Sequence, residues 1–198
     1  MWAPDLARGT LRRPSTSQRG TAAIEFAIIA LVFFTLVFGV IEVARLLYIY
    51  NTLQEVTRRA VAAAVNVYPN DAANIARIKQ YSVFRDSPGE LILAAPITDQ
   101  YIRFSYLNNS LSVIPASAWP SSAAKNREVC MKNPNADTCI RFVQAQVCEP
   151  DTTDSCKAPT SPTFIPLINL SPTLHKATTI STVESLGYTS GTLPCPCT

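Results

Sequence analysis

The sequence predicts an α+β chain in which a long N-terminal helix crosses a membrane and a small disulfide-bonded antiparallel sheet follows it. Three observations carry that expectation. Residues 21–41 form an apolar run with a single charge; the 198-residue chain has 15 prolines, none of them between Pro14 and Pro69; and its six cysteines all lie beyond residue 129. The length fits one modest folded domain plus attachments. Hydrophobic residues make up 47% and charged residues only 16% of the chain, against ~25% charged in an ordinary soluble domain.

The net charge of +3 is localised. Residues 1–20 hold Arg8, Arg12, Arg13 and Arg19 against Asp5, and the rest of the chain balances. No basic surface is left downstream for phosphate, so no nucleic-acid partner is expected.

Residues 21–41 read TAAIEFAIIALVFFTLVFGVI, with Glu25 the only charge. At 1.5 Å per residue they cover about 31 Å, one hydrocarbon core. Apolar side chains fall on every face, as in a buried core helix or a membrane span. The arginines just ahead favour a span, with the N-terminus cytoplasmic. Good helix formers continue the run, and Tyr48 and Tyr50 suit a membrane interface. Glu42 with Arg45, and Glu55 with Arg59, are spaced as helix-face pairs. Leu46, Leu47, Ile49, Leu53, Val56, Ala60, Ala63 and Ala64 mark a semi-apolar stripe. One helix of about 68 Å is expected from Thr21 to Val65, stopped by Val67-Tyr68-Pro69-Asn70-Asp71. A cleaved secretory signal is the competing reading. The run is longer than a usual h-region, and the nearest small-x-small site, Glu42-Val43-Ala44, opens with a glutamate.

A carboxylate inside a membrane helix is costly and needs a reason. Glu25 either snorkels to the headgroups or has a partner. Its surroundings, Gly20-Thr21-Ala22-Ala23-Ile24-Glu25-Phe26, resemble the processing site of type IV pilin-like proteins. The fuller stretch over residues 19–65, with Gly39, Ile41, Glu42, Arg45, the tyrosines, Asn51 and an arginine-alanine helix, resembles the TadE-like family. These are minor pseudopilins of the tight-adherence (Flp) pilus system. A softer likeness runs over Phe164–Gly187.

The resemblance implies that a membrane prepilin peptidase cuts between Gly20 and Thr21, leaving Glu25 at the fifth mature position and Phe26 behind it. Cutting there removes the whole basic excess and creates an α-amino group on Thr21. That ammonium and a neighbour's Glu25 would neutralise each other in lipid and set the register between subunits.

Residues 66–198 read as helix-poor. Asp71–Val83 is expected as a short helix capped by Asn70 or Asp71. Strands are expected within Asp99–Leu107, Ile140–Cys148 and Leu174–Ser185, and Ser110–Ile114 is placed in a hairpin with the first through Asn108-Asn109. Cys130, Cys139, Cys148, Cys156, Cys195 and Cys197 read as disulfides of an oxidising compartment. Six cysteines allow fifteen connectivities; the sequence neighbours Cys130–Cys139 and Cys148–Cys156 are favoured. No metal is expected, since no Cys-x-x-Cys occurs and His175 is the single histidine. No cofactor is expected either: six glycines leave no phosphate-cradling loop, and no catalytic triad is visible. Asp151 and Asp154 read as a solvated loop, the triplets at Asn108 and Asn169 as chance sequons, and Trp119 as a loop anchor.

The expected organisation is therefore a cytoplasmic basic leader at 1–20, a membrane-spanning and extended pilin-like helix at 21–66, and a periplasmic α+β domain at 67–198. A non-enzymatic minor pseudopilin of a bacterial inner membrane is expected, a structural part that helps assemble or anchor an Flp-type adhesive pilus. Its partners would be the prepilin peptidase, other pilin-like subunits, the assembly platform and the membrane. The helical stripe, with Ala60 and Ala62–Ala64, would supply subunit contacts. The alternative is an uncleaved single-pass protein whose periplasmic domain binds a ligand or an envelope partner. A weaker one is a thiol-disulfide protein built on Cys195-Pro196-Cys197.

Overall fold

A computed structural model gives the fold and describes residues 19–150, 155–163 and 172–188. The chain divides into two units, one ending at Ile41 and the other beginning at Glu42. Helix α1, Arg19–Ala64, is 46 residues long and contributes to both.

In the first unit no described side chain is buried. Phe33, Phe34 and Phe38 contact one another, the first pair edge-on at 5.4 Å and the second stacked at 5.9 Å. Thr35, in the middle of the apolar stretch, donates to the Leu31 carbonyl at 2.8 Å. A hydroxyl so satisfied can stand in a helix facing an apolar medium.

In the second unit the remainder of α1 turns amphipathic. Ile49, Leu53, Val56, Thr57, Ala60, Val61 and Ala64 are buried, at spacings of three and four that mark one helix face. They join a core with Ile102, Tyr106, Val143, Ala145 and Val147. Those five come from a three-stranded antiparallel sheet in the order β1-β2-β3. The strands are β1 (Ile102–Leu107), β2 (Phe142–Val147) and β3 (Thr178–Thr182).

Register fixes the faces. Ile102 opposes Val147 and Tyr106 opposes Val143, so these side chains share the covered face. Ala145 opposes Thr179, whose hydroxyl lies 2.8 Å from that of Thr57 on α1. The α+β class and the strand regions expected from sequence are as observed, with trimmed ends. Asp99–Tyr101 is a 3-10 turn, in which the Thr98 hydroxyl accepts from the Gln100 amide.

Helix α2, Ala72–Ser82, starts where Asp71 accepts from the Asn74 amide at 3.1 Å. That backbone bond, with a second from the Asn74 side chain, holds the Asp71 carboxyl below the usual carboxylate range. After β1, the buried Asn108 accepts from the amides of Ser110 and Ser112, and Ile114 donates to Tyr106 at 2.8 Å. Asn108 is thus the turn-former of the expected hairpin.

Two findings depart from the sequence reading. Helix α3, Ala123–Lys132, capped by Ser122, was not expected. Much of the stripe on α1 is the domain's own core: Ala60 and Ala64 have no exposed surface and are not a free face for another subunit, whereas Ala62 is exposed and Ala63 half-buried. Leu47, placed on that stripe by spacing, points outward and is 59% exposed. The segment after β3 returns to the end of α1, where Leu186 donates to Val65 and Gly187 turns with φ +77°, a conformation that L side chains resist.

Candidate functional site

The N-terminal motif stands on the first turns of α1. Gly20, Thr21, Glu25 and Phe26 are all exposed. Thr21 and Glu25, four residues apart, share a helix face. Gly20 has open space around the position of a Cβ and no left-handed backbone. Neither packing nor conformation asks for glycine there, and alanine would favour the helix by about 1 kcal/mol. Gly39 is equally unconstrained.

Arg45, four residues past the apolar run, joins several parts of the second unit. Its guanidinium meets the Glu42 carboxylate at 2.9 Å. The same group donates to the Leu93 carbonyl at 3.0 Å, to the Pro162 carbonyl at 3.1 Å and to the Ser161 hydroxyl at 3.1 Å. The buried Ser161 hydroxyl in turn donates to the Ala95 carbonyl at 3.4 Å. One planar fork therefore ties two loops to α1, which a lysine could not do. Sequence spacing found the Glu42–Arg45 pair and missed the loops, because their partners are more than 40 residues away.

Polar burial elsewhere is small and specific. Asn126 of α3 accepts from the Ile140 amide at 2.9 Å and donates to the Ile140 carbonyl at 3.2 Å. Burial pushes the Tyr106 phenol up, and its hydroxyl has no hydrogen-bond partner. Its ring meets Trp119 edge-on at 5.1 Å, and Trp119 donates to the Ile114 carbonyl at 3.0 Å, which makes it the loop anchor. A cavity of about 500 Å³ lies between α3 and the segment after β3, lined among others by Asn126, Arg127, Arg141, Glu184 and Tyr188.

Cys130 is joined to Cys139, and Cys148 to Cys156. Cys195 and Cys197 lie outside the described residues, as do Asp151, Asp154 and Asn169. His175 is exposed. Among the described residues no three His, Cys, Asp or Glu side chains gather where a metal could sit.

Helix α1 is long and apolar enough to cross a membrane from Gly20 onward. No curated protein and no solved structure matches the chain. A family model described as TadE-like protein matches residues 20–62, from the glycine of the N-terminal motif to the middle of the last turns of α1. That family is associated with tight-adherence pilus systems. The chain thus carries over residues 20–62 a match to the TadE-like family, the same stretch on which the sequence resemblance rests.

Proposed function

We propose that this chain is a minor pseudopilin, cut by a prepilin peptidase between Gly20 and Thr21, that helps assemble or anchor an Flp-type adhesive pilus. In this reading residues 1–20 are a cytoplasmic leader, α1 crosses the inner membrane, and the sheet-bearing domain is periplasmic. Its role is structural, and its partners are the peptidase, other pilin-like subunits and the assembly platform.

The observation that carries the reading is the family match beginning at a glycine that the fold does not need. A residue type unexplained by packing is explained by a protease that reads it. Cleavage would leave the Thr21 ammonium beside a helix whose first carboxylate is Glu25. In a bundle of such helices that charge pair would fix axial register, because an unpaired charge in hydrocarbon is expensive.

The deciding experiment is intact mass and N-terminal sequencing of the protein from native membranes. The expected N-terminus is Thr21, with or without N-methylation. Gly20→Ala is expected to leave the domain folded and to retain Met1. A wild-type chain that keeps Met1 beside an active prepilin peptidase would overturn the pseudopilin reading. A second reading, a membrane-anchored domain that binds a ligand, draws support from the cavity carrying Arg127, Arg141 and Glu184. It predicts a retained Met1.

A further inference from the structure

Strand β3 stands at one edge of the sheet, with β2 on its inner side. Val147 donates to the Ala177 carbonyl at 3.2 Å, and Val183 to the Arg141 carbonyl at 2.9 Å. Bonding in an antiparallel ladder alternates, so the odd-numbered residues of β3 are the ones bonded to β2. The amides and carbonyls of Thr178, Ile180 and Thr182 point out of the sheet, and no other described segment pairs with them. Free edges are ordinarily guarded by a charge, a proline or a bulge. Thr178–Thr182 has none of these: its residues are threonine, isoleucine and serine, and its register with β2 is unbroken.

The sequence along this edge is complementary to itself. From Lys176 to Glu184 it reads Lys-Ala-Thr-Thr-Ile-Ser-Thr-Val-Glu, with Ile180 at the centre. Laid antiparallel on a second copy with Ile180 opposite Ile180, Thr178 meets Thr182, Thr179 meets Ser181 and Lys176 meets Glu184. The outward backbone groups of Thr178, Ile180 and Thr182 then fall into hydrogen-bonded pairs. Their side chains stand on the open face of the sheet with those of Lys176 and Glu184, all of them exposed, Ile180 by 42%. Neither Lys176 nor Glu184 has an ion-pair partner among the described residues. Charge also selects this arrangement over its neighbours. Sliding the copies by two residues separates Lys176 from Glu184, and a parallel pairing in register sets like charges side by side.

We infer that β3 is a self-association edge, to which a second copy of this chain adds its own β3 antiparallel about a two-fold axis at Ile180. Two Lys176–Glu184 pairs, one at each end, set the direction and register of the joint. The two three-stranded sheets become one of six strands. An edge of five residues buries little surface, so the joint belongs with weak, reversible interfaces. The inference goes beyond the role proposed above and requires neither cleavage at Gly20 nor a pilus.

The test is sedimentation equilibrium of the full chain in a density-matched detergent, at concentrations up to about 200 μM, within the range of a weak interface. The wild-type chain is expected to dimerise reversibly. Lys176→Glu and Glu184→Lys each set like charges at both ends of the joint, and each alone is expected to weaken the dimer about tenfold. An equimolar mixture of the two variants restores both opposite-charge pairs and is expected to dimerise as the wild type does. Both positions are exposed, so thermal melts followed by circular dichroism are expected to match the wild type. A wild-type chain that stays monomeric over that range overturns the inference. A dimer that both single variants keep also overturns it, because the contact then lies elsewhere. So does a mixture no more associated than its parts.

Discussion

Asn126 shows how much one polar side chain holds in a domain this small. Its carboxamide takes both backbone groups of Ile140, a residue with 1% of its surface exposed just before β2. Asn126→Ala would strand a buried amide and a buried carbonyl, at about 1–3 kcal/mol each. A loss of roughly 2–4 kcal/mol is expected in urea unfolding of the full chain in detergent. A change below about 0.5 kcal/mol, the range of inert surface substitutions, would deny the clamp any part in stability. Nothing in the sequence announces this role. An asparagine in a polar stretch reads as surface until a partner fourteen residues away comes to meet it. Gly20 is the opposite case, conspicuous by its place ahead of an apolar run and unexplained by the fold. Arg45 lies between the two, since its ion pair is local and its loop contacts are not.

Elements were legible in proportion to how locally they are specified. Helix α1 follows from an apolar run and its continuation, and α2 from Asp71 and the turn residues before it. The β-branched composition of Thr178–Thr182 suffices to place β3. Helix α3 was hidden because among its side chains only Asn126 is buried, so no apolar stripe marks it. Its available signals were the Ser122 cap and Glu128, which sits three residues after Lys125 and four before Lys132.

That triad has a pH signature. The hydrogen bond from Lys125, then that from Lys132, lowers the Glu128 carboxyl to about 2. A carboxyl depressed in the folded state stabilises above its unfolded value, and the contribution fades as pH falls toward the folded one. The domain should lose stability between about pH 4.5 and pH 2 through this group, and Glu128→Gln should flatten that part of the profile. Melting temperatures of the two proteins across that window would show it. Parallel profiles would exclude the triad as a source of acid sensitivity.

For the molecule as a whole, the two disulfides fasten the domain around β2. Cys130–Cys139 closes a loop with a sequence separation of 9 between α3 and the residues just before β2, and Cys148–Cys156 one of 8 leading away from the end of β2. Loops of this size restrict the unfolded chain by roughly 2.5–3 kcal/mol each in the chain-entropy model. Reduction is therefore expected to lower the melting temperature of the domain while the helicity of the apolar segment persists. Circular dichroism with and without reductant separates the two. Equal melting in both would show that the bridges constrain nothing that the core does not already hold.

The contact between Thr57 and Thr179 joins positions 122 residues apart, and Leu186 returns to Val65 across a similar distance. The face of α1 that becomes the core is made early in synthesis, and the strand that completes its cover is made late. At about 5–20 residues per second the ribosome needs roughly 6–24 s to bridge that interval. Ile49, Leu53 and Val56 wait first for β1 and β2, and until the end of that interval the sheet they lie against lacks its third strand. Maturation of this domain is thus timed by the arrival of β3, and any factor that shields a bare apolar helix for those seconds would raise the yield of folded protein.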